Sequence, residues 1–212
     1  MTHVSSTVST RLGAVSLRSY GGGAPPGASE TMIALPGMAA LGEPDWHAVA
    51  SSLASKSLRV LLPLPHSNAK TAPSVFEFAV AKTVTGLCGL LASNADTIRE
   101  DWLLDIMPDD GSKVILAGFS WGGGAACRFA ARYPEKVSKL VLVSPDVQHM
   151  VAQKVSVPTL LIWSTRDPIN PYFWTRRFRG LGNITLQTTD TFGHEVRADH
   201  SERIRKWLVG EG

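Results

Sequence analysis

The stretch Lys113-Val114-Ile115-Leu116-Ala117-Gly118-Phe119-Ser120-Trp121-Gly122-Gly123-Gly124-Ala125-Ala126-Cys127-Arg128-Phe129-Ala130-Ala131-Arg132 decides the fold of this chain. A run of β-compatible apolar residues leads into a serine flanked by glycines, and a helix-like segment follows with no spacer. Such a succession reads as strand, tight turn and helix. Gly118 and Gly122 have a physical reason to stand there: a sharp strand-to-helix turn brings neighbouring backbone too close for larger side chains and holds the serine in a strained conformation. The five-residue G-x-S-x-G pattern by itself is permissive, and its position between a strand and a helix is what gives it weight.

Working outward, strands are expected near 8–19, 31–35, 58–62, 114–118, 137–143, 159–163 and 184–188. Helices are expected near 44–55, 75–91, 95–106, 123–132, 172–179 and 198–209. Alternation of this kind calls for an α/β fold, a three-layer α/β/α sandwich whose central sheet is mostly parallel and carries helices on both faces. Functional groups then collect at the carboxyl ends of the strands. Residues 8–19 alternate in a β-compatible manner and are expected to form an early hairpin, so that residues 1–30 supply a β-hairpin and a Gly/Pro loop. With 212 residues, 44% hydrophobic and 18% charged, residues 1–212 suffice for one domain with one substantial core.

A serine hydroxyl is a poor nucleophile at neutral pH, so a catalytic Ser120 needs a histidine to take its proton and a carboxylate to orient that histidine. Downstream, the strand at 159–163 runs into Ser164-Thr165-Arg166-Asp167-Pro168, which puts Asp167 just past a strand end. The strand at 184–188 leads into Asp190-Thr191-Phe192-Gly193-His194, which puts His194 in the following loop. Taken singly, Asp167 also reads as a helix N-cap before a proline and His194 as a surface histidine.

At these residues the chain resembles the α/β-hydrolase superfamily, over about residues 31–208. The resemblance is carried by Leu35-Pro36-Gly37-Met38 after the first core strand, by Gly118-Phe119-Ser120-Trp121-Gly122-Gly123, by the Asp167-Pro168 loop and by Gly193-His194. It implies that 118–122 is the nucleophile elbow, with a triad in the order serine, acid, histidine: Ser120 as nucleophile, Asp167 as orienting acid and His194 as base. It also implies an oxyanion hole from the backbone N–H groups of Trp121 and Met38. The chain departs from the family pattern in two places. Pro36 stands where the first loop commonly has histidine, and Ser164 where the acid loop commonly has glycine. Asp146, after the strand at 137–143, competes as the acid because some members of the superfamily place it there; the Asp167 loop matches the commoner arrangement and is favoured.

Many members insert a helical lid between the strand after the nucleophile helix and the acid strand, but only thirteen residues, 144–156, are available here. The resemblance therefore implies a lidless serine hydrolase with an open site, acting by two-step acyl transfer on a small or exposed carboxylic ester or thioester. Amides are disfavoured because their leaving groups need more help. His66, following Leu64-Pro65 where the chain leaves a strand on the same side, is a candidate substrate contact. Two other readings stay open: a hydrolase scaffold retained for binding without catalysis, and an acyltransferase using the same three residues. The superfamily also contains members with lyase or peroxidase chemistry.

The formal charge of +3 is too small to argue for nucleic acid. The arginines at 176, 177 and 179 read as a solvated helix face. Cys88 and Cys127 lack metal-type spacing and read as small buried residues in a reducing compartment, and the histidines form no zinc pattern, so no cofactor or metal is expected. No apolar run is long enough to span a bilayer, so membrane insertion is not expected. The first thirty residues lack a secretory h-region, and cytosol is the default location. A transit peptide is the alternative, since these residues are Ser/Thr-rich, carry Arg11 and Arg18 and have no acidic residue before Glu30.

Overall fold

The computed structural model describes residues 3–11, 13–21, 30–37, 46–64 and 100–211. Among the described residues eight strands form one sheet: β1 (Val4–Thr10), β2 (Gly13–Tyr20), β3 (Glu30–Leu35), β4 (Leu58–Leu64), β5 (Val114–Phe119), β6 (Val137–Val143), β7 (Thr159–Arg166) and β8 (Ile184–Phe192). Their order across the sheet is β1-β2-β4-β3-β5-β6-β7-β8. β1 and β2 make an antiparallel hairpin that pairs antiparallel with β4, and the remaining neighbours are parallel. The α-helices among the described residues are α1 (His47–Leu53), α2 (Ser120–Arg132), α3 (His149–Ala152) and α4 (His200–Leu208).

β5 lies near the middle of the sheet and all six of its residues are buried, as a parallel strand covered on both faces requires. Side-chain alternation then splits the apolar residues into two cores. Leu116, Leu140, Leu142, Leu161 and Trp163 face Ala126 and Phe129 of α2. Ile115, Ala117, Val141, Val143 and Ile162 face Val49 of α1 and Ile204 of α4. Helices therefore cover both faces, the three-layer arrangement expected from the alternation of elements. The hairpin is tied down at its turn, where the Arg11 guanidinium forms a bidentate pair with Asp105.

Several elements differ from expectation. The described part of the helix expected at 95–106 is a 3-10 helix, Glu100–Ile106, and so is the segment expected as a helix at 172–179, here Tyr172–Phe178. In a 3-10 helix residues three apart eclipse, which lets the Arg177 guanidinium stack 3.9 Å above the Trp174 ring. The 123–132 helix begins earlier, at Ser120. β7 and β8 run on to Arg166 and Phe192, because the two strand ends pair with each other across an irregularity between Ser164 and Arg166. The helix expected at 75–91, the Gly/Pro loop at 22–29 and Cys88 lie outside the described residues. Residues 144–158, which join β6 to β7, contain only the four-residue α3 and no lid domain.

Leu140 lies in β6 with no exposed surface, enclosed by the core on the α2 face. Leu140→Ala should cost about 2–5 kcal/mol, as buried leucine truncations do. The measurement is the urea midpoint, expected to fall at unchanged slope.

Candidate active site

Ser120 is the junction between β5 and α2, and it takes a left-handed backbone conformation with φ of 51°. That conformation costs a non-glycine residue on the order of 1–2 kcal/mol, and the surrounding backbone enforces it. A Cβ on Gly118 would stand 2.4 Å from the Gly122 carbonyl oxygen, and one on Gly122 would stand 2.3 Å from that of Pro36. The turn is therefore so tight, and so pressed against the end of β3, that side chains at 118 and 122 are excluded. Ser120 also accepts a backbone bond, 2.8 Å long, from the Asp146 N–H. Trp121 follows in the first turn of α2, where helical N–H groups have no partner within the helix.

His194 reaches the serine from the loop after β8. Its Nε2 lies 2.8 Å from Ser120 Oγ, and its Nδ1 lies 2.8 Å from Asp167 Oδ2. The imidazole side chain is 9% exposed and the carboxylate fully buried. Phe119 packs on the imidazole with ring centroids 4.7 Å apart. Burial alone would raise the Asp167 carboxyl, yet it is held below its ordinary value. Bonds from His194, the Asn170 N–H, the Ser144 hydroxyl and the Ile169 N–H outweigh the burial. An ionised carboxylate only accepts hydrogen bonds, so Nδ1 of His194 carries the proton and Nε2 is left to accept from the Ser120 hydroxyl.

The acid loop is built as an Asx turn. Asp167 Oδ1 accepts the N–H groups of Ile169 and Asn170, each at 2.8 Å, which leaves Oδ2 for the histidine. Asn170, with no exposed surface, donates its side-chain amide to the Ser144 carbonyl at 2.8 Å and accepts the Trp163 indole N–H on its own carbonyl at 2.9 Å. Ser164, where the family pattern has glycine, uses its hydroxyl: Oγ donates to the Thr191 carbonyl and accepts the Arg166 N–H. One small side chain thus joins the end of β7 to the strand that leads to His194.

The structure brings Ser120, Asp167 and His194 together, with Trp121 beside the serine. The carboxylate that bonds His194 is Asp167, whereas Asp146 acts on Arg177, whose guanidinium is partly buried and donates to the Val147 carbonyl at 2.5 Å. Burial lowers the Arg177 pKa and Asp146 acts in the opposite direction. Arg177 is therefore not part of a solvated face, although Arg176 and Arg179 are exposed. Met38 and His66 lie outside the described residues. Burial pushes the Cys127 thiol up to about 12, in keeping with a small core residue. Among the described residues no three His, Cys, Asp or Glu side chains converge as metal ligands would. Sequence reasoning passed over Ser144, Ser164 as a donor, and Asn170; only Asp167-Pro168-Ile169-Asn170, an Asx-turn spacing, carried a readable signal.

Residues 93–156 match the alpha/beta hydrolase fold family. No curated protein matches the chain by sequence. Among solved structures, the chain is similar to Est1E from Butyrivibrio proteoclasticus (13% identity, 98% of each chain covered, TM-score 0.68). It is also similar to naproxen esterase, carboxylesterase NP, from Bacillus subtilis (14% identity, 98% of this chain and 92% of the other, TM-score 0.70). A third is the thioesterase domain from the curacin biosynthetic pathway (12% identity, 99% and 100% covered, TM-score 0.67). With the strand order and the β5–Ser120–α2 turn, these matches show that the chain has the α/β-hydrolase fold.

Proposed function

We propose that this protein is a serine hydrolase that cleaves a small or exposed carboxylic ester or thioester through an acyl-serine intermediate. The observation that carries the reading is the hydrogen-bonded chain from Ser120 Oγ through His194 to Asp167, two contacts of 2.8 Å each, on a serine held at the end of a central strand. In the first step Ser120 Oγ attacks the carbonyl carbon as its proton passes to Nε2 of His194. The negative charge that develops on the carbonyl oxygen is stabilised by the Trp121 N–H at the start of α2 and by the Met38 N–H. His194 returns the proton to the departing alkoxide or thiolate, leaving the acyl group on Ser120. In the second step His194 takes a proton from water, hydroxide adds to the acyl carbon, and Ser120 leaves with that proton as the carboxylic acid is released. Throughout, Asp167 accepts from Nδ1 and stabilises the imidazolium that forms.

The substrate class is supported by two features. The β6–β7 connection is too short for a cap over the site, which suits an ester that is small or already exposed. Met150, Ile169, Phe173 and Phe192 are exposed, and all follow or end the carboxyl ends of β6, β7 and β8, where they suit an apolar acyl or alcohol group. His66 is proposed as a further contact. A cytosolic setting is part of the same proposal.

A fluorophosphonate probe should label Ser120 alone, read by peptide mass spectrometry, and Ser120→Ala should abolish both labelling and ester turnover. Normal turnover by Ser120→Ala would sink the assignment. Asp167→Asn, which forces the wrong histidine tautomer, should lower kcat by about 10³–10⁴. Asp146→Asn should change kcat by less than about tenfold, and a reversed ranking would move the acid to Asp146.

A further inference from the structure

The loop that carries His194 is anchored at both ends by side chains. Upstream, Ser164 Oγ donates to the Thr191 carbonyl. Downstream, the Arg197 N–H donates to Nδ1 of His200 at 3.3 Å. His200 opens α4 and is only 3% exposed. Between the two anchors lies a cavity of about 10 Å³ whose wall includes Ser144, Ser164, Thr189, Thr191, Gly193 and His200. That volume is about the least that accommodates one water molecule, and its polar wall offers the partners a water requires. Because Nδ1 accepts, the neutral imidazole carries its proton on Nε2, and among the described residues no protein group accepts it. A buried N–H without a partner is costly, so the geometry calls for an acceptor in the cavity.

We propose that His200 is a positioning residue for His194: it pins the loop through Nδ1 and, through Nε2–H and one water in the cavity, ties that loop to the wall formed by Ser144 and Ser164. Ser144 is the residue whose hydroxyl bonds the Asp167 carboxylate, and Ser164 precedes that acid by three positions. The cavity thus stands behind both the acid and the base and fixes their loops against each other. The catalytic meaning of this role rests on the function proposed above.

The arrangement requires a neutral His200, since a protonated Nδ1 would repel the Arg197 N–H. Burial pushes the imidazole down to about 4, with Asp199 opposing the shift and Arg203 and Arg197 reinforcing it. Glu195 and Arg197 also line the cavity, and β6, β7 and β8 face it with Val, Ile, Ser and Thr only. Between about 4 and 6.5 the unfolded chain binds a proton at this position that the folded chain refuses. Stability therefore rises with pH across that window and levels off above it, and His200→Asn should flatten the rise.

The decisive comparison is His200→Asn, whose Oδ1 replaces the Nδ1 acceptor, against His200→Phe, which keeps the bulk and loses both nitrogens. The primary readout is the solvent exchange of the His194 Nδ1–H proton by NMR. It should accelerate by roughly tenfold or more in His200→Phe and by much less in His200→Asn. In parallel kcat should fall about 10- to 100-fold in the Phe variant at unchanged KM, the signature of a misplaced base. Wild-type exchange and kcat in a cooperatively folded His200→Phe would overturn the proposal. Should that variant fail to fold, the wild-type protein decides: a cross-peak between His200 Nε2–H and a long-lived water supports the tie, and its absence overturns it. A protected His194 proton in a wild-type protein that resists the fluorophosphonate would sink the hydrolase reading and leave the positioning role standing.

Discussion

The meeting of Ser120, His194 and Asp167 depends on the left-handed turn at Ser120. An L-residue enters that conformation only when its surroundings forbid the alternatives, and here they do so through backbone contact: α2 starts one residue after β5 ends, and Gly122 lies against the carbonyl of Pro36 at the end of β3. The close approach fixes where the hydroxyl points and sets the first turn of α2 beside it. It also explains the small residues at the start of α2, where Gly122, Gly123, Gly124, Ala125 and Ala126 are all buried. At 122, 123 and 124 an added Cβ would run into Pro36, Pro145 and Asp146.

Asp167 and His194 follow two neighbouring parallel strands, whose carboxyl ends the topology places on the same side of the sheet as Ser120. Topology alone would leave both loops free to drift. The strand ends are joined by continued pairing to Arg166 and Phe192, by the Ser164 hydroxyl on Thr191, and by the Asx turn with its buried Asn170. The irregularity between Ser164 and Arg166 changes the register just before Asp167, a device that re-aims a side chain. With several donors on it, the Asp167 carboxylate stays ionised despite burial, and its ionisation dictates the tautomer of His194.

The central strands were legible because their apolar runs and flanking turn residues permit one interpretation, and Ser120, Asp167 and His194 because each sits where a strand ends. The early hairpin was legible from its alternation. Less visible were the elements whose form depends on neighbours. Residues 172–178 have a helix-like pattern, but the choice of a 3-10 geometry goes with the stacking of Arg177 on Trp174 and the bond from Arg177 to Val147. Residues 164–166 and 190–191 look like loops because they are polar, and they become strand because the ends of β7 and β8 supply each other with a ladder. Asp146 and Asp167 both follow strands, and only the folded chain shows that Asp167 is the one bonded to His194.

The sequence by itself determined the fold class and the candidates for the site, Ser120, His194 and the two carboxylates Asp146 and Asp167, since hydrophobic periodicity selects strands and helices and strand ends select where functional groups gather. The tertiary structure decided which carboxylate touches His194, which nitrogen of that ring carries the proton, and which residues hold the loops in place. Those outcomes rest on contacts between segments far apart in the chain, such as Ser144 with Asn170 and Ser164 with Thr191. Local pattern carries no information about such pairs, because the hydrogen-bonding capacity of a serine or an asparagine is the same wherever it stands, and only burial and proximity turn it into a constraint.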